Sequence, residues 1–326
     1  MNAVDHNNVV IFDDRGIPSI MCRFVRPKDT EETPAVFKIG DKVADAIYIS
    51  KYPNIVIDGR AYSMPMADPT VNITFDEAVQ ACRCKGLGWH LMTAVEYEYL
   101  LNQSREKDTM PHGNTDWGKD YYHNDEQGKV SNLGRTYTGT GPVTWNHDHT
   151  PYGVSDLNGN VWEWLAGLRI KDGVIEFIPG NKAASPYCDL SKDSTEWQQA
   201  ETSKGPVRAN VECGEITITD AVAADDYTPD YDGVRIEELE VKLSEIPQVL
   251  KDLGIIPDKR AEEEGKTYVY FDATEGEYLP VRGTAFHHTS GSGPSALNLH
   301  HPRSHSYGLI GFRSAFYEVN GKLITE

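Results

Sequence analysis

The sequence predicts an α+β fold of short twisted strands, two packed helices and long ordered loops. Three observations carry that reading. Thr74 with Glu77, and Thr93 with Glu96, form two capping boxes, each ahead of apolar residues at helical spacing. Short β-like runs fill much of the remainder, separated by turn-forming residues. The chain also has 28 Gly and 18 Pro alongside 17 Tyr, 6 Trp and 9 Phe, a loop-rich composition too aromatic for disorder.

The elements follow in order. Residues 9–12 and 20–24 read as strands around a turn at 14–16, and 44–52 as a further strand. The first helix starts at Thr74, with Phe75, Ala78, Val79 and Cys82 on one face and Gly86 and Gly88 suited to its stop. The second, from Thr93, turns Val95, Tyr99 and Leu100 inward. Residues 102–160 are mostly turn-forming and include Trp117-Gly118; they read as an ordered loop system. Asn158-Gly159-Asn160 is a turn signal, and Val161-Trp162-Glu163-Trp164 alternates as a strand does. Residues 180–233 are polar with scattered short strands. Residues 234–253 read as helical, with a stripe of Leu239, Leu243, Ile246, Val249, Leu250 and Leu253, and Gly254 as the stop. Pro247 suits the first turn of a second helix capped by Ser244. The expected organisation is an N-terminal β segment packed on the core (1–43), the first part of the core (44–184), an insertion with one helical segment (185–275), and a C-terminal core segment (276–326).

Charge and composition exclude several classes of function. The 326 residues carry 31 Lys and Arg against 50 Asp and Glu, a formal charge of −19. That field repels nucleic acid and anionic membranes. No apolar run approaches the roughly 20 residues of a spanning helix, so no membrane insertion is expected. The polar, acidic start is not a secretory signal, which implies cytoplasmic synthesis. The cysteines (Cys22, Cys82, Cys84, Cys188 and Cys213) are odd in number and suggest no disulfide framework.

Four segments, in fixed order, carry a resemblance. They are residues 69–78 (Pro-Thr-Val-Asn-Ile-Thr-Phe-Asp-Glu-Ala), 91–99 (Leu-Met-Thr-Ala-Val-Glu-Tyr-Glu-Tyr), 152–164 (Tyr-Gly-Val-Ser-Asp-Leu-Asn-Gly-Asn-Val-Trp-Glu-Trp), and Arg282-Gly283 leading to Ile310-Gly311-Phe312-Arg313. Together they resemble the formylglycine-generating-enzyme, or sulfatase-modifying-factor, branch of C-type-lectin-like folds. Within such a fold Trp162 and Trp164 are expected to bury large rings. Arg282 and Arg313 are expected to tie loops through fork-shaped hydrogen bonds. Members of the family sometimes hold calcium near the Asn-Gly-Asn turn, for which Asn158, Asn160 and Glu163 would supply oxygens. Turn chemistry alone favours a turn stabilised by its own side chains.

The resemblance does not extend to that family's chemistry. Formylglycine-generating enzymes bind copper through a C-terminal cysteine pair, whereas the last cysteine here is Cys213. The iron-dependent sulfoxide synthases use three histidines, and five of the 11 in this chain lie within residues 287–305. They come as adjacent pairs, however, which diverge on a strand and are ill suited to one metal. A mononuclear metal-dependent oxidoreductase is therefore the secondary reading, and no catalytic residue and no cofactor are expected.

Residues 282–316 also resemble the C-terminal segment of variable proteins from diversity-generating retroelements, which use the same fold. Their pattern runs Arg-Gly-Gly-x-Trp-Asn-Asn-Gly-Ser-Asn-Ala-Gly, then Leu-Asn-Leu-Asn-Asn-x-Arg-Ser-Asn, then Ile-Gly-Phe-Arg. Here His287, His288, His300, His301 and His305 stand where that pattern has asparagine, and Phe286 where it has tryptophan. Adenine-directed mutagenesis of an Asn codon yields His, Tyr, Gly, Leu, Ser, Thr, Ala, Pro or Phe, which accounts for the histidine pairs without a metal. The resemblance implies a hypervariable region at about 284–309. Its candidate contacts are Ala285, Phe286, His287, His288, Gly291, Ser295, His300, His301, His305, Tyr307, Gly308 and Leu309, displayed on exposed strands and loops. The implied partner is a protein or glycan on a bacterial surface. The implied setting is a phage or prophage virion surface, where other virion proteins would be neighbours. With an ordinary pKa near 6.5 in a strongly acidic chain, these histidines are expected to gain charge at mildly acidic pH.

Overall fold

The computed structural model describes residues 6–212, 214–222 and 227–323; Cys213 lies outside them. Helix α1 is Phe75–Arg83 and helix α2 is Ala94–Lys107. Both capping boxes form. Thr93 Oγ1 accepts the Glu96 N–H at 3.1 Å and Glu96 Oε2 accepts the Thr93 N–H at 2.9 Å, so two orphan donors are satisfied at once. α1 buries Phe75, Ala78, Val79 and Cys82, while Leu100 and Leu101 of α2 are fully buried.

Beside three two-stranded sheets, two large ones carry most of the rest. The smaller runs in the order His6–Phe12, Pro18–Val25, Ala46–Ser50, Ser314–Val319, Lys322–Leu323, so the N-terminal segment and the last strands share one layer. The larger contains Tyr231–Arg235, Tyr268–Asp272, Leu297–Pro302, Glu277–Arg282, Leu168–Lys171, Val174–Phe177, Arg208–Glu212, Glu215–Thr219 and Glu240–Lys242, in that order. Trp162–Trp164 branches off Glu277–Arg282 and pairs in parallel with Ile310–Phe312. Most strands of 185–275 therefore continue the sheet of the core, Glu201–Thr202 and Gly205–Pro206 forming a separate pair, and Tyr268–Asp272 pairs in parallel with Leu297–Pro302.

Within that segment the helix expected over 234–253 does not form. Tyr231–Arg235 and Glu240–Lys242 are strands, joined by a 3-10 turn at Ile236–Glu238; only α3, Gln248–Asp252, is α-helical. The reason is non-local: each strand has a partner elsewhere, Tyr268–Asp272 for the first and Glu215–Thr219 for the second. Ser244 caps nothing. Its N–H donates to Asp220 Oδ2 at 2.8 Å, and Pro247 precedes α3 without a side-chain cap. The leucines still face inward: Leu250 and Leu253 are buried, and Leu239 and Leu243 pack on the core.

Three buried arginines lock the loops, two of them sharing Glu98. Arg313, fully buried, grips the Glu163 carboxylate at 2.7 and 2.8 Å and the carbonyls of Ser50, Lys51 and Ser155 at 2.9–3.0 Å. Arg282 donates to Glu98 at 3.0 Å and to the Ser295 carbonyl at 3.1 Å. Arg105 of α2 pairs with Glu98 and, at 2.8 Å, with Glu264 from the 185–275 segment. Burial works against ionising Glu264, but the Arg105 guanidinium and the Ser295 hydroxyl outweigh it and hold the carboxyl below its usual range.

A face of histidine and aromatic rings

The strand Leu297–Pro302 sets the position of two of the five histidines. Antiparallel pairing with Glu277–Arg282 puts His301 opposite Leu279, with a register shift between Leu279 and Val281. Asn298 Oδ1 accepts the His300 N–H at 3.0 Å. Beyond the strand His305 turns back, and its ring stacks on His301 with centroids 4.3 Å apart and planes 8° from parallel. Trp164 meets His301 edge-on at 6.1 Å, and Trp162 meets His288 edge-on at 5.2 Å. Trp162 and Trp164 are buried, so they act as the floor of the face. Arg303, between the histidines, is bound by Glu277 and Asp76 and serves the scaffold.

The adjacent pairs do not diverge as a regular strand would make them. His287-His288 lies in a turn with ring centroids 4.6 Å apart, and the His300 and His301 rings are 4.2 Å apart. Among the described residues no group of three or more His, Cys, Asp or Glu is arranged to hold a metal ion. Of the oxygens considered for calcium, Glu163 is bound by Arg313 and Asn160 Oδ1 by the Thr136 N–H at 2.8 Å, whereas Asn158 Oδ1 is buried without a hydrogen-bond partner. The turn is further fixed by Gly159, whose N–H donates to the Gly283 carbonyl at 2.6 Å. At φ +73 a Cβ there would sit 2.0 Å from the Asn114 carbonyl, so only glycine fits.

Not every expected contact reaches the surface. His287, His288, His300, His301, His305, Gly308 and Leu309 are half-exposed and Tyr307 is exposed, but Ala285, Phe286, Gly291 and Ser295 are buried. Phe286 lies under Trp117, whose N–H donates to the Phe286 carbonyl at 2.8 Å and whose ring packs edge-on at 4.9 Å. Gly291 lies against the Tyr268 ring, and Ser295 Oγ donates to buried Glu264. Trp117 is 59% exposed and extends the face beside His287, while Tyr231 and Tyr270 extend it beside His300. An isolated Trp in a stretch of turn residues was the one sequence signal for this addition.

The expected charging at mildly acidic pH is also corrected. Burial pushes His301 down to about 3, helped by His300 and His305, and His288 down to about 4, helped by His287. His287, His300 and His305 are lowered by burial as well. His288 and His301 therefore stay uncharged at neutral and mildly acidic pH, and burial biases the other three imidazoles the same way.

Comparison with known proteins places part of this architecture. Residues 51–207 match the sulfatase-modifying factor enzyme 1-like domain, a match that ends before the histidine stretch. Over 105 residues, 30% of this chain, the sequence is 36% identical to the formylglycine-generating enzyme of Mus musculus. The alignment spans only 27% of that relative's length. Among solved structures, the Major Tropism Determinant I1 variant aligns with 98% of this chain and 73% of its own, at 11% identity and a TM-score of 0.34. PvdO from Pseudomonas aeruginosa aligns with 96% of this chain and 99% of its own, at 13% identity and a TM-score of 0.31. The chain has an α+β fold in which residues 51–207 are similar to the sulfatase-modifying factor enzyme 1-like domain, the formylglycine-generating type of C-type-lectin-like fold.

Proposed function

We propose that this chain is a hypervariable ligand-binding protein, diversified by a retroelement, that recognises a protein or glycan on a bacterial surface on behalf of a phage or prophage. The observation that carries the reading is the union of two facts. Five histidines occupy positions where the variable-protein pattern has asparagine, and their rings lie together on one half-exposed face. The backbone beneath is held by buried arginine clusters whose residues lie outside the substituted positions, Ser295 excepted. Side chains on such a face can change while the backbone stays fixed. Uncharged imidazoles with Tyr307 and Trp117 present flat amphipathic surfaces at low entropic cost.

This reading takes no catalytic centre and no redox cofactor, and leaves room for a structural calcium ion near the Asn158-Gly159-Asn160 turn. The same scaffold in the mouse relative supports a second reading, a mononuclear metal-dependent oxidoreductase. Elemental analysis separates them: binding requires no stoichiometric copper or iron, whereas one tightly held redox metal per chain, lost on changing His300 or His305, sinks the proposal. The positive test measures binding to bacterial surface extracts by the native chain and by one with all five histidines changed to Asn. A ligand bound equally by both puts recognition elsewhere on the protein.

A further inference from the structure

A cavity of about 340 Å³ opens between the loop at 110–123, residues 263–267 and residues 292–294. Its size is at the lower end of the roughly 300–1,000 Å³ of ligand pockets, room for a single fused ring. Met110, Pro111, His112, Tyr122 and Pro294 give it mostly apolar walls. The His112 ring is braced by His123, which also lines the cavity and stacks on it at 3.6 Å and 7°, and its Nδ1 is 3.0 Å from the Glu126 carboxylate. The two acids that border the cavity most deeply are committed. Asp120 accepts from the Gly113 and Tyr122 N–H groups at 2.9 Å, and Glu264 is bound by Arg105.

One buried polar atom of the lining is not committed. Asn158 is 7% exposed and lines the cavity; its amide donates to the Pro111 carbonyl at 3.1 Å, but its Oδ1 is buried with no hydrogen-bond partner. A buried acceptor without a donor is costly, and a ligand that supplies one gains what the fold has left unmade.

We infer that this cavity binds a small planar aromatic molecule with one N–H or O–H donor, of the indole or phenol class. The donor points at Asn158 Oδ1 and the ring packs against His112 and Tyr122. The inference is independent of the histidine face, which it does not use. It is tested on the full chain by titration calorimetry with indole and with benzothiophene, which has nearly the same shape and no donor. Indole should bind at one saturable site, with benzothiophene at least tenfold weaker. Asn158→Asp keeps an acceptor and should keep the preference for indole. Met110→Trp fills the cavity from another wall and should abolish binding of both probes. Circular dichroism checks that both variants fold. Equal affinity for the two probes, undiminished indole binding by Met110→Trp, or no saturation up to the solubility limit of indole would each overturn the assignment, the last because water alone then satisfies Asn158.

Discussion

Replacing His288 and His301 together by Asn should make the protein less sensitive to acid. Both imidazoles are held neutral in the fold, at about 4 and about 3, against an unfolded value near 6.5. Below pH 6.5 the unfolded chain takes up protons that the fold refuses. The stability these residues carry above pH 6.5 is therefore lost progressively as the pH falls through their folded values. At pH 4.5 the gap is about two pH units for each, or roughly 2.5 kcal/mol per histidine at about 1.36 kcal/mol per unit. Solvent reaches part of both rings, which brings the expected total to about 2–4 kcal/mol. Urea unfolding followed by tryptophan fluorescence at pH 7.5 and 4.5 measures it, because carboxylates common to both proteins cancel in the difference. The native chain should lose about 2–4 kcal/mol more than H288N/H301N. Losses that match within about 0.5 kcal/mol would mean that the fold does not hold these rings neutral.

Three further outcomes test the scaffold. Trp162→Ala should cost about 3–5 kcal/mol in chemical denaturation, whereas His305→Ser, at a half-exposed position, should stay within about 0.5 kcal/mol; equal losses would make the histidine face part of the core. Glu264→Ala leaves Arg105 buried beside a lost partner and should cost about 3–5 kcal/mol, read by thermal and urea unfolding. Thr93→Ala, which removes one half of a capping box, should cost about 0.5–2 kcal/mol, and a neutral result would mean that tertiary packing alone fixes the start of α2.

The parts of the fold legible in the sequence were those whose causes are local. The boxes at Thr74 and Thr93 and the glycine-centred turn at 158–160 need only neighbours within a few residues, and they form as the spacing dictates. The stretch 234–247 was misread because leucine and isoleucine at helical spacing say nothing about partners far along the chain. Pairing with 215–219 and 268–272 decides its structure. The same limit applied at the site. Which of the candidate contacts face solvent depends on Trp117, Tyr268 and Glu264, residues distant in sequence that pack on Phe286, Gly291 and Ser295. The histidines themselves were found from a pattern of residue types; their neutrality follows only from burial.

The position of Leu297–Pro302 inside the larger sheet has a consequence for solubility. If positions 300 and 301 vary as the proposed role requires, some versions of the strand become more apolar and β-prone, and on an open edge such a strand recruits other chains. Here one flank is hydrogen-bonded to Glu277–Arg282, and the other, over 297–299, to Tyr268–Asp272. The 185–275 segment thus shields part of that flank. With those backbone groups occupied, a greasy or a polar version of the strand has less opportunity to add a foreign strand. Under the proposed role, the range of side chains such a face can tolerate is then set by what it must bind, and less by the hazard of aggregation.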